Sequence, residues 1–227
     1  MTVTVVGVDA CKRGWIAVVL RPGALPEAHY LPAIEELSST VPGAQVVAVD
    51  IPIGLPETGR RDADVEARKV LGARRDSVFF APVRDALLAA THALASEASK
   101  RLTGLGISQQ SFALGPKVRE VEEWIPDAPC PVFEIHPELS FAQLMQRPAT
   151  ASKKSWAGMV ERRAALAGVG IVLDSVSGAA AVNAAADDVL DAAVAAWTAG
   201  RLLDGTAVSF PVSPPVDRRG RHVAIWA

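Results

Sequence analysis

Cysteine is scarce. The 227 residues hold two, Cys11 and Cys130, too few for a disulfide framework and spaced unlike any common zinc motif. Both are expected as free thiols in a reducing compartment. No run of 18 apolar residues is present, so nothing suggests a membrane span. The Ala-rich stretch from Ala179 to Ala199 is interrupted by Asn183, Asp187, Asp188 and Asp191. The first residues lack the basic and apolar regions of a secretion signal, and cytoplasmic residence is the expectation. Net charge is small as well. A value of −2 argues against a generally basic surface that coats nucleic acid, though not against a local basic groove. What is present is a composition 50% apolar and 21% charged, which fits a globular protein with a sizeable core. There is no internal repeat and no clear linker. One domain with a helical insertion at about residues 57–129 is the simplest organisation.

The β-branched run Val3–Val6 leads through Gly7 and Val8 to a single acid, Asp9. A polar bend at Ala10–Gly14 and a second apolar run from Trp15 follow. This predicts a strand ending at Asp9, a turn and a second strand. A short third strand is expected at Ala28–Leu31 and a short helix at Pro32–Ser39. Gln45–Val49 is almost wholly apolar, as a buried strand should be. It ends at Asp50, where Ile51-Pro52 forces a turn. Helices are predicted over 62–71, 85–102, 109–124 with a break at Gly115-Pro116, 140–145, 152–166 and 187–203. Residues 131–136 read as a strand closed by Pro137, and 222–226 as a final one.

Several acids are placed to work together. Asp9 and Asp50 each end an apolar strand, and Glu134 lies in or beside a third. Asp188 and Asp191 are three residues apart on a helix and share a face. The rest of that helix is apolar, so its acids need a reason to be there. A divalent cation is an economical one, because clustered carboxylates repel one another unless a cation binds them. Plainer roles exist for each. Asp9 and Asp50 suit turns, Asp187 suits a helix N-cap or first turn, and Glu134 suits an ion pair. Asp191 lies too deep in its helix to cap it. His136 reads as a ligand, a proton carrier or a hydrogen-bonded structural histidine. Lys153 and Lys154, in the first turn of a helix, would meet a phosphate there or form a solvated charge pair. Arg60, Arg68 and their neighbours would line a substrate groove or a salt-bridged surface helix. Phe79 and Phe80 read as core rather than as a stacking platform.

The blocks GVDACKRGW, VAVDIPIGLPETGRRDADVEARKVLG, SVFFAPVR, FEIHPELSF, SKKSWAGMVERR and DDVLDAAVAAWTA occur in that order from Gly7 to Ala199. Together they resemble the DUF429 family, described as predicted RNase H-like nucleases. The resemblance implies an α/β fold: a mixed five-stranded RNase H-like sheet, its first three strands antiparallel, flanked by helices. It places the metal-binding and catalytic acids at Asp9, Asp50, Asp188 and Asp191, with Glu134 as an extra ligand or substrate contact. It implies a phosphodiester hydrolase using Mg2+ or Mn2+, with a nucleic acid as substrate and no membrane partner. Lys153, Lys154, Arg60 and Arg68 would bind that substrate. The alternative is a non-catalytic or nucleotide-binding protein on the RNase H-like core shared with actin-like ATPases and sugar kinases. There Asp9, Gly7 and Gly14 would serve nucleotide phosphate and Mg2+. No oligomeric state follows from the sequence.

Overall fold

The computed structural model describes residues 3–227. The elements in chain order are β1 (Val5–Cys11), β2 (Gly14–Leu20), β3 (Glu27–Leu31), α1 (Leu37–Thr40), β4 (Val46–Val49), α2 (Asp62–Leu71), α3 (Arg84–Leu87), α4 (His92–Thr103), α5 (Gln109–Ala113), α6 (Gly115–Trp124), β5 (Val132–Glu134), α7 (Pro137–Met145), α8 (Trp156–Gly168), α9 (Gly178–Asn183), α10 (Ala186–Leu203), β6 (Ser209–Phe210) and β7 (Ile225–Trp226). They fall into two compact units. The first comprises residues up to Ile51, Glu123–Val208 and Trp226–Ala227. The second comprises Pro52–Glu122 and Ser209–Ile225. The helical insertion expected at about 57–129 thus runs from 52 to 122, and the Pro- and Arg-rich tail joins it.

The first unit is built on a five-stranded sheet in the order β3-β2-β1-β4-β5. β1, β2 and β3 pair antiparallel, whereas β4 and β5 extend the sheet parallel to β1. This α/β sheet has the strand order and orientations of an RNase H-like fold. β-Branched residues fill both faces of β1 and β4 because both faces are covered. Alternation sends Val5, Gly7 and Asp9 to one face, with Val46, Ala48 and Asp50 beside them. α10 packs on that face through Ala192, Ala195, Ala196 and Ala199, all fully buried. Its small residues let it lie unusually close to the sheet. A Cβ on Gly7 would stand 2.0 Å from Ala196 N and 2.1 Å from Ala192 O.

Some local expectations are corrected. β1 does not stop at Asp9: it pairs with β2 as far as Cys11 opposite Gly14, and the turn is only Lys12-Arg13. The helix expected over 85–102 is two helices, because the Thr91 hydroxyl accepts the Leu94 N–H and starts α4 afresh. α7 begins three residues earlier than expected, with Pro137 in its first turn and His136 as N-cap. α8 starts at Trp156 behind an N-cap at Ser155, so Lys153 and Lys154 precede the helix instead of lying in its first turn. Cys11 and Cys130 are free thiols. No described helix is long and apolar enough to cross a membrane.

Candidate functional site: a buried carboxylate cluster

The parallel ladder between β1 and β4 has its last rung at Val8–Val49. One residue further along each strand stand Asp9 and Asp50, and the Asp50 N–H still reaches back to Val8 O at 3.0 Å. The carboxyl ends of parallel strands are where such sheets present groups to ligands. Gly7 and the alanine face of α10 bring the third acid, Asp191, over the same strand ends. Asp9 is 6% exposed and Asp191 has no exposed surface, whereas Asp50 is half-buried. Asp188, one turn earlier on α10, accepts the Ala185 N–H at 3.1 Å and so also closes the helix start. The Asp9 carboxylate accepts the adjacent Ala10 N–H at 2.8 Å.

Electrostatics couples these groups. Burial, reinforced by the charges of Asp50 and Asp191, raises the Asp9 carboxyl well above the usual carboxylate range. Burial pushes Asp50 up to about 7 against the pull of Lys153. Asp191 also stands at about 7, raised by burial and by Asp50 and Glu138, and opposed by Lys153. Asp188 is raised by burial and partly relieved by the Ala185 N–H. Burial would lower Lys153, but Asp191, Asp9 and Asp50 outweigh it and hold the ammonium protonated well above its usual range. Lys153 Nζ is ion-paired with Asp191 Oδ2.

The fit to a divalent cation rests on the donor set. The three clustered carboxylates offer hard oxygen atoms of the kind Mg2+ and Mn2+ prefer. Asp191 Oδ1 is buried and has no hydrogen-bond partner among the described residues, an arrangement that costs about 1–3 kcal/mol or more unless something satisfies it. Among the described residues, however, no three His, Cys, Asp or Glu side chains stand ready as a cage for a metal ion. The cation on Asp191 in this arrangement is the Lys153 ammonium.

The turn that carries Lys153 is braced by a set of contacts that the sequence reading missed. Arg162 of α8 is fully buried and pairs with Glu138 of α7. The same guanidinium donates to Ala151 O at 3.1 Å and to Gly158 O at 2.9 Å. It thereby ties the turn before α8 to the helix itself. One signal was available: Gly158, Arg162 and Leu166 recur every four residues and form the buried stripe of α8. Arg163, next in sequence, points outward and pairs with Asp174 at 2.6 Å.

The other expected site residues are placed differently. Glu134 pairs in register with Val49, so the pleat turns its buried side chain to the face opposite Asp9 and Asp50. Its neighbours Phe133 and Ile135 face α10 instead. His136 shares the Glu134 parity and serves as N-cap of α7, where its carbonyl accepts the Leu139 and Ser140 N–H groups at 3.0 Å. The Lys154 side chain is 79% exposed and stands 3.8 Å from Asp187, which lies in the first turn of α10. Arg60 and Arg68 belong to the second unit, where their guanidinium groups lie over the Phe80 ring at 3.8 and 4.9 Å. Arg68 is also bonded to Arg75 O at 3.0 Å and to Asp76 at 2.8 Å.

No curated protein and no solved structure matches the chain significantly. A family model described as "Protein of unknown function (DUF429)" matches residues 7–216. With nearly the whole chain matched, and all three clustered acids inside the match, the protein belongs to the DUF429 family.

Proposed function

We propose that the protein is a metal-dependent hydrolase of phosphodiester bonds, with Asp9, Asp50 and Asp191 holding Mg2+ or Mn2+ and a nucleic acid as substrate. The observation that carries this reading is the buried Asp191 Oδ1, which has no partner among the described residues although it belongs to a cluster of carboxylates that are all raised by burial. Structural acids in protein interiors are normally paired and hydrogen-bonded. A cluster that leaves one buried oxygen bare, at the carboxyl end of a parallel ladder, is arranged for something that arrives. A bound divalent ion would supply an activated water and neutralise charge at the phosphate.

The chain's own groups have separable tasks. Asp9 and Asp50 would share the ion from the two central strands, and Asp191 would offer Oδ1 from α10. Asp188 is committed in part to the Ala185 N–H and would act at the edge of the site. Lys153 limits the spread of negative charge on Asp191 and keeps part of its side chain, 33%, exposed. Because no cage stands ready among the described residues, ion binding would require these side chains to adjust. Glu134, on the other face of the sheet, has no place in this ligand set.

The test is cleavage of labelled RNA, DNA, hybrid duplex and branched substrates in Mn2+, with Asp9→Asn alongside. The expected result is cleavage of at least one substrate, abolished by chelator and by the substitution. Cleavage that survives Asp9→Asn would contradict the assignment.

A further inference from the structure

We propose that Lys153 is a fixed cation of the carboxylate cluster, occupying the place of a second metal ion, so that the site takes a single divalent cation. This rests on the metal-dependent reading above and sharpens it, since clustered carboxylates of this kind can serve one metal ion or two.

Charge favours a single divalent ion beside Lys153. At the strand ends Asp9 and Asp191 are buried and Asp50 is half-buried, and the Lys153 ammonium is already among them, paired with Asp191. One divalent ion together with Lys153 matches those three charges. Two divalent ions would exceed them in a setting where unbalanced buried charge is strongly disfavoured. The two oxygens of Asp191 are placed differently. Lys153 takes Oδ2, and the other oxygen of the same carboxylate, Oδ1, has no partner among the described residues. A carboxylate that already bonds an ammonium through one oxygen has one oxygen left for a metal.

The turn that carries Lys153 is tied to the start of α8. Ser152 O accepts the Ser155 N–H at 2.9 Å and the Ser155 hydroxyl at 2.7 Å, and the same hydroxyl accepts the Gly158 N–H at 3.1 Å. A side chain at residue 158 would collide with this turn, because a Cβ there would lie 2.0 Å from Ser152 O. Arg162 closes the arrangement by binding Ala151 O, Gly158 O and Glu138. A fully buried ion pair is a weak source of stability compared with apolar packing. Here it anchors the turn from which Lys153 reaches Asp191. Arg162 and Glu138 are positioning residues in this account, and Lys153 is the group that meets the acids.

The experiment is isothermal titration of the full-length protein with MnCl2 at about pH 8, on wild type, Lys153→Met and Lys153→Arg. Wild type is expected to bind one equivalent at the cluster. Removing the ammonium is expected either to admit a second equivalent or to tighten the first by about tenfold or more. Lys153→Arg, which keeps the charge, is expected to retain one equivalent. Two equivalents in wild type would overturn the inference and leave the metal-dependent reading standing. So would a Lys153→Met isotherm identical to that of wild type. Absence of Mn2+ binding in all three proteins would overturn both. If Lys153→Met lacks the native circular dichroism, Lys153→Gln takes its place, and the wild-type stoichiometry by itself decides between one ion and two.

Discussion

In the second unit, acids taken out of water meet arginines. Asp64 is held by Arg61 at 2.5 Å and by the Ala81 N–H at 2.8 Å. Glu122 receives two 2.8 Å bonds from Arg84, with Arg221 at 3.4 Å. Burial alone would raise Glu122, but Arg84 and Arg221 outweigh it and hold it below its usual range. Asp217 is likewise held low against its burial by Arg221 and by the N–H groups of Arg219 and Arg221. The first unit handles Asp9, Asp50 and Asp191 in the opposite way. Three carboxylates share one lysine, and all three are raised. The difference separates acids that hold a structure together from acids kept available at a cost to it. Perturbation by burial together with named charge partners is the usual mark of a functional site.

The largest expected effect breaks the structural side of this comparison. Arg61 and Asp64 have side chains only 2% and 1% exposed. Arg61→Ala is expected to destabilise the protein by about 3–5 kcal/mol, because it leaves a buried carboxylate without its main counter-charge. Chemical denaturation measures this, and a loss below about 1 kcal/mol would mean that Asp64 is not held as the structure indicates. The next effect has the other sign. Asp50→Asn, in chelator at about pH 8, is expected to stabilise the protein by on the order of 1–2 kcal/mol, a value discounted for the partial exposure of Asp50. Loss of stability in the same assay would show that the cluster acids are ordinary structural groups.

The third effect is a pH dependence with opposite signs in the two units. Asp50 and Asp191 have folded pKa values of about 7, above those of the unfolded chain. Their contribution is fully present below the unfolded value and is lost as pH rises through about 7. Glu122 and Asp217 are lowered. Their contribution is present above the unfolded value and is lost only as pH falls through the lowered one. Amide hydrogen exchange, corrected for intrinsic rates and run without metal, should therefore show protection in β1 and β4 falling by several kcal/mol, on the order of 2 kcal/mol per group, between pH 5 and pH 8. Protection around Glu122 should be level over the same interval. Equal slopes in both regions would remove the distinction.

Much of the fold was legible because it rests on patterns with a clear period. The apolar runs of β1, β2 and β4 each stop near an acid or a turn signal, and the acids of α10 stand out on an apolar helix. Asp9, Asp50 and Asp191 were found for that reason. Glu134 was placed with them because its strand also ends near an acid. Phe133, Glu134, Ile135 and His136 alternate between apolar and polar, but which pair faces α10 depends on the register with β4, a long-range fact. Lys153 was recognisable as a basic residue near the site, while its partner, Asp191, is 38 residues away. Arg162 was missed because an arginine beside another arginine reads as surface, although its place on the Gly158–Leu166 stripe marks it as buried. The break between α3 and α4 was hidden by apolar residues that continue the helical pattern, and only Thr91 signals it.

The central claim is that the Asp9, Asp50 and Asp191 cluster is a site for a divalent cation. Thermal unfolding at about pH 8, with and without Mn2+, tests it directly on wild type and Asp9→Asn, since an ion that binds only the folded state raises its unfolding temperature. The account predicts that Mn2+ raises the midpoint of wild type and leaves that of Asp9→Asn nearly unchanged. No shift in wild type, or the same shift in both proteins, would contradict it.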